Sequence, residues 1–117
     1  MQPTDELVKE LRELIDEVTP EGGTEEDTRF SDDQLKKILS ESRNIYTAAA
    51  IGWTRKAAMF QREMGQIKSY SVGQERYDMA DLTSLLEYAL KMAETYSRMA
   101  ASSMGSMILK FKPPEVL

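Results

Sequence analysis

Cysteine and histidine are both missing from these 117 residues. Without thiols there are no disulfides, no thiolate nucleophile and no site of the Cys/His zinc kind. Without imidazole the usual general base at neutral pH is gone as well. The lack of cysteine suits a reducing compartment. No run approaches the roughly 18 apolar residues of a membrane span, and the opening MQPTDELVKE lacks the basic region and apolar run of a signal peptide. Neither G-x-x-x-x-G-K-[ST] nor G-x-G-x-x-G occurs. No Ser–Lys pair has a catalytic spacing. The paired carboxylates Glu25/Glu26 and Asp32/Asp33 fall in a polar loop or at a helix start, where water and the helix dipole keep them ionised. No catalytic, cofactor-binding or metal-ligating residue is therefore expected, and an enzyme is not.

Hydrophobic residues make up 41% of the chain and charged ones 30%, the balance of a soluble globular domain. A single domain of this length buries roughly 65% of the surface its unfolded chain exposes, enough for one modest core. The charge is uneven. Residues 1–41 carry 13 acids and 5 bases, a balance of −8, whereas residues 42–117 carry 7 acids and 10 bases, a balance of +3. Either this is a solvated acidic face, or the acidic end of one copy meets the basic end of the next. The overall −5 argues against general nucleic-acid binding.

Along the chain the period is helical. In residues 4–18, TDELVKELRELIDEV, the positions Leu7, Leu11, Leu14 and Val18 form one stripe, with Val8 and Ile15 beside it. Thr4 is the expected N-cap, and Pro20 with Gly22-Gly23 the expected stop. The acidic segment EGGTEEDTR reads as a polar loop with no packing potential, and it lacks the alternate-ligand spacing of a calcium loop. Next comes FSDDQLKKIL. Ser31 and Gln34 make a capping box, and Phe30 before the cap can staple onto Leu35. A second start of this kind is expected at YDMADL, with Tyr77 before the cap, Asp78 as cap and Leu82 at the staple position.

Residues 43–64 read as a longer helix with Ile45, Ala49, Trp53, Ala57, Phe60 and Met64 on one face. Ala48-Ala49-Ala50 and Gly52 are small enough for another helix to approach closely. Trp53 reads as a core anchor whose indole N–H finds a partner at the edge, or alternatively as a binding hot spot. GQIKSYSVGQER, residues 65–76, breaks the pattern and reads as an extended loop. Residues 79–104 form the longest expected helix, with Leu82, Leu85, Leu86, Ala89, Ala93, Tyr96 and Ala100 inward and Gly105 as its stop. The methionines clustered late in it are core filler or an adaptable binding surface. The remainder, SMILKFKPPEVL, is apolar and basic, alternates like a strand and ends in a double proline that keeps it extended. That favours docking on a neighbour over folding back on its own bundle.

The expected architecture is thus all-α: a small bundle of about four helices, an extended loop between the last two, and an extended C-terminal tail. Residues 1–105 would form the helical domain and 106–117 the tail. Two partner-binding groups are expected, Tyr70, Val72 and Arg76 in the loop and Ile108, Leu109 and Phe111 in the tail. A helix-turn-helix reading of residues 31–64 is weakened because Arg43, Arg55, Lys56 and Arg62 do not gather at the start of the second helix.

The order ELVKELRELI, FSDDQLKKIL, IYTAAAIGWTRKAAMF, YSVGQERYDMADL and LLEYALKMAETY resembles the head–tail connector (adaptor, or head-completion) proteins of long-tailed double-stranded DNA bacteriophages. The likeness lies in an aromatic-Ser-Asp-x-x-Leu helix start, an Ala-rich helix with Trp then Lys-Ala-Ala, and a closing helix ending near an aromatic; it covers most of residues 4–98. It implies a non-enzymatic virion protein at the head–tail interface, assembled in the host cytoplasm. It implies a ring, typically of about twelve copies, beneath the portal protein. The ring would extend the DNA channel and offer a platform to a stopper or tail-completion protein. Double-stranded DNA would pass through without sequence-specific binding, which an acidic chain permits because phosphate does not stick to it. No cofactor and no membrane would be involved. The competing expectation is a small helical DNA- or protein-binding regulator.

Overall fold

The computed structural model describes residues 1–68 and 73–111, with the side chains of 68, 73–78 and 104–111 outside that description. Four α-helices follow one another: α1 Asp5–Leu14, α2 Asp32–Ser40, α3 Ile45–Lys68 and α4 Gly73–Phe111. No strand occurs among the described residues. The all-α expectation holds.

Helix α1 starts where Thr4 accepts a hydrogen bond from the Leu7 N–H at 3.2 Å. It stops earlier than the apolar stripe suggests. Asp16 adopts a left-handed conformation, φ 60°, which short polar side chains tolerate. The Glu17 N–H then reaches the Arg12 carbonyl at 2.8 Å and the Asp16 N–H the Glu13 carbonyl at 3.4 Å, the two bonds of a Schellman ending. Val18 is therefore off the helix and 58% exposed, not part of the stripe.

The polar loop expected at residues 21–29 has no buried residue, but it is anchored. A 3-10 turn, Glu25–Asp27, carries its own capping box between Thr24 and Asp27, and the whole segment wraps the buried Arg12. That guanidinium donates five hydrogen bonds: to the Glu17 carbonyl at 3.0 Å, Thr28 Oγ1 at 2.9 Å, the Phe30 carbonyl at 2.9 Å, and Asp32 Oδ1 from Nε at 3.3 Å and from an Nη at 2.8 Å. All five N–H donors of the planar group can be used in such an arrangement, which a lysine cannot imitate. Helix α2 begins as expected. Gln34 N–H donates to Ser31 Oγ at 3.1 Å and Ser31 N–H to Gln34 Oε1 at 2.8 Å, while Phe30 and Leu35 are both buried in the core.

Helix α3 is capped by Asn44, whose Oδ1 accepts from the Thr47 N–H at 2.9 Å, so it starts two residues after the expected Arg43. It runs through Gly65 to Lys68. One glycine costs a helix about 1 kcal/mol and does not end it. Helix α4 begins at Gly73, before the expected cap, so Tyr77 and Asp78 lie inside the helix and the second stapled start does not exist. It likewise passes Gly105 and continues to Phe111. Residues 106–111 are thus helical where an extended tail was expected; 112–117 lie outside the described residues.

Helices α3 and α4 form an antiparallel hairpin. Tyr46 stacks on Tyr96 with ring centroids 6.2 Å apart, and Trp53 meets Tyr88 edge-on at 5.4 Å. At 1.5 Å per residue α4 is about 58 Å long, which accounts for the 62 Å dimension of the molecule. Helices α1 and α2 form a small head against α3. Their core joins Val8, Leu11, Ile15, Phe30, Leu35, Ile38 and Leu39 to Ala48, Ala49, Trp53, Ala57 and Phe60 of α3 and to Leu82 and Ala89 of α4. The expected close approach is at Gly52, where a Cβ would come within 2.8 Å of Ile15 Cγ2.

Two substitutions test this packing. Arg12→Met leaves the Glu17 carbonyl without its side-chain donor, takes one donor each from the Phe30 carbonyl and Thr28 Oγ1, and unpairs the half-exposed Asp32; it should lower unfolding free energy by about 2 kcal/mol in urea titrations. Gly52→Ala should gain about 1 kcal/mol of helix propensity yet lose more than that, about 1–3 kcal/mol, to overpacking against the fully buried Ile15. The urea midpoint should fall, and an unchanged or raised midpoint would refute the close approach.

Candidate interaction surface

Of the six residues singled out from the sequence, Tyr70 and Val72 lie outside the described residues. Arg76 falls in the first turns of α4, and Ile108, Leu109 and Phe111 in its last; the side chains of these four are outside the description. One helix carries both groups, and about 48 Å of it separates Arg76 from Ile108. The backbone therefore places them at opposite ends and does not join them into one site.

The surface that is well defined lies between those ends. The inward face of α4 is as expected at Leu82, Ala89 and Ala100, which are buried, and at Leu86, Ala93 and Tyr96, which are partly so. Leu85 departs from the expectation at 44% exposure. With Tyr88 at 51%, Met99 at 39% and the half-buried Met92, it forms a second apolar edge beside the first. The spacing 85, 88, 92, 99 keeps these residues on one side of the helix. The apolar arc of α4 is wider than α3 can cover. Leu90, 53% exposed, stands alone on the other border, and a purely apolar-versus-polar pattern does not reveal which border of a wide arc keeps the longer open edge.

This edge is anchored by the one tryptophan. The Trp53 indole donates to the Leu14 carbonyl at 3.0 Å, so its role in this chain is that of a core anchor, 3% exposed. Tyr88 rests edge-on against its ring. Lys56 Nζ sits 4.3 Å from the ring centroid, donates to the Ile15 carbonyl at 2.8 Å and pairs with Glu17 Oε2 at 2.8 Å. Both partners of that pair are nearly buried. Glu17 also accepts from the Arg29 N–H at 2.7 Å. Arg29 in turn lies over Phe60, 4.4 Å from its centroid, and pairs with Glu63 at 2.6 Å. Composition gives no sign that Arg12 and Lys56 are buried, because cations on amphipathic helices are usually solvated.

On the opposite flank, Thr47, Ala50, Ile51, Thr54, Arg55, Ser97 and Ala100 line an open groove of about 420 Å³. Among the described residues no group of three or more acids is placed to hold a metal ion, and no helix is long and apolar enough to cross a membrane. Comparison of the chain with protein-family models, curated proteins and solved structures finds no match in any of the three.

Burial raises the Tyr96 phenol above its usual pKa of 10.0, and the neighbouring Tyr88 and Tyr46 phenols add to the shift. The folded state thus holds this proton more tightly than the unfolded one. Its contribution is intact below pH 10 and is lost as pH rises through the higher folded value. Tyr96→Phe keeps the ring on Tyr46 and removes the titration. The urea midpoint of the wild type should fall more than that of Tyr96→Phe between about pH 9 and about pH 11; parallel curves would contradict the shift.

Proposed function

We propose that this chain is a structural subunit of a phage head–tail connector. It would assemble as a ring under the portal vertex, lengthen the DNA channel and receive the stopper or tail-completion protein. The reading rests on the sequence resemblance, whose described segments run in chain order through α1, α2, α3 and α4. The observation that carries it further is the uncovered apolar edge of α4, beside the open border of a small core. Subunits of this kind complete their packing through neighbours, and a ring needs different patches on the two sides of each subunit. The −8 and +3 halves supply such a difference.

The end of α4 and the residues after it remain the proposed portal clasp. Removing residues 106–117 should abolish portal binding or ring formation, read by negative-stain imaging of the chain mixed with tailless, portal-bearing capsids. Survival of both would exclude the clasp. Capsids lacking the polypeptide should leak genome and fail to accept tails; normal retention and tailing would end the connector reading. A salt-sensitive shift of duplex DNA in gels would point to the regulator instead.

A further inference from the structure

We propose that the exposed edge of α4 is a self-association surface, and that its occupant is α1 of a second copy of this chain. The α4 edge, Leu85, Tyr88, Met92 and Met99, has bases along its outer border. Lys91 lies three residues beyond Tyr88, and Arg98 seven residues further on. Lys91 forms no ion pair with the described residues. Among the described residues Arg98 pairs with Glu94 alone, at 3.6 Å with both side chains largely exposed, a contact too loose to occupy it.

Helix α1 presents the complement. Leu7 and Leu14 are half-buried at the border of the core. Outside them runs a row of exposed acids, Glu6, Glu10 and Glu13, with Glu10 midway between the two leucines. None of the three carboxylates is paired with a described residue. The repeat distances agree. Glu6 to Glu13 and Lys91 to Arg98 both span seven residues, about 10.5 Å along a helix axis. Leu7 to Leu14 matches Leu85 to Met92 and Met92 to Met99 in the same way. An apolar ridge with an acidic border thus meets an apolar ridge with a basic one at equal spacing. Charge complementarity selects a second copy, because the acidic and basic borders are supplied by the same chain.

The inference deepens the ring reading, since it names the surfaces by which one copy meets the next, and its test separates the two. A chain that self-associates but ignores the portal keeps the one and loses the other. The experiment is mass measurement by light scattering across a concentration series at low and high salt. The wild type should exceed one chain's mass as concentration rises, and less so at high salt. Lys91→Glu with Arg98→Glu should weaken association at least tenfold, and Glu10→Lys with Glu13→Lys should do the same. A chain carrying all four substitutions should regain association, since the borders have exchanged sign. Met99→Glu, at an exposed position, should weaken it without altering either row. Circular dichroism checks that each variant keeps its helix content. A wild type that stays one chain throughout, or a fourfold variant no tighter than the two doubly substituted ones, would overturn the proposal.

Discussion

Helix α1 ends inside the protein, and the carbonyls of its last turn must find donors there or cost the fold dearly. Every one of those identified is satisfied from a different direction. The Arg12 and Glu13 carbonyls take the N–H groups of Glu17 and Asp16. The Leu14 carbonyl takes the Trp53 indole and the Ile15 carbonyl the Lys56 ammonium. The Arg12 side chain then turns back to hold the Glu17 carbonyl and the strap beyond it. Among the described residues no buried side-chain nitrogen or oxygen is left without a partner. Helix α1 has only 10 residues, too few to be stable alone. This knot fixes it to α3 and determines where the head sits on the hairpin.

The same knot explains the near-burial of two charges. A lysine beside an indole and a glutamate loses hydration that only good geometry can offset. Here the ammonium has a carboxylate, a carbonyl and a ring face together. Removing any one partner leaves a buried charge half satisfied, so the site specifies the arrangement even if its net contribution to stability is small.

What could be read from the chain follows from the range of each interaction. The Thr4 cap, the Ser31–Gln34 box and the apolar faces of α2 and α3 depend on residues three or four apart, and they stand as expected. So does the close approach at Gly52. The errors lie where a distant partner or a competing local signal decides. Gly65 and Gly105 resemble stops, but a single glycine costs a helix only about 1 kcal/mol, and both helices run on past it. Asp78 resembles a cap, yet α4 has already begun at Gly73. Val18 continues the period of α1 but lies beyond the left-handed Asp16. Arg12 and Lys56 look like surface cations and are instead the centres of long-range networks. The contacts expected at Arg76, Ile108, Leu109 and Phe111 follow from composition, whereas the exposed edge between them follows from how little of α4 the head and α3 cover.

That last point is a matter of proportion. A compact chain of this length would have a radius of gyration of about 13 Å; this one has 17.6 Å. The head is short and α4 has 39 residues, so the head cannot cover the length of the hairpin. A wide apolar arc on a helix that long has three physical outcomes. It can be narrowed by polar residues, folded under additional elements, or left open to water and to other molecules. Leu85, Tyr88 and Met99 exclude the first, and their exposure excludes the second for the described part of the chain. The third remains. The acids on α1 and the bases on α4 then bear on which molecule fits there, since a partner matched to this edge must bring an apolar ridge bordered by carboxylates, and the chain carries one itself.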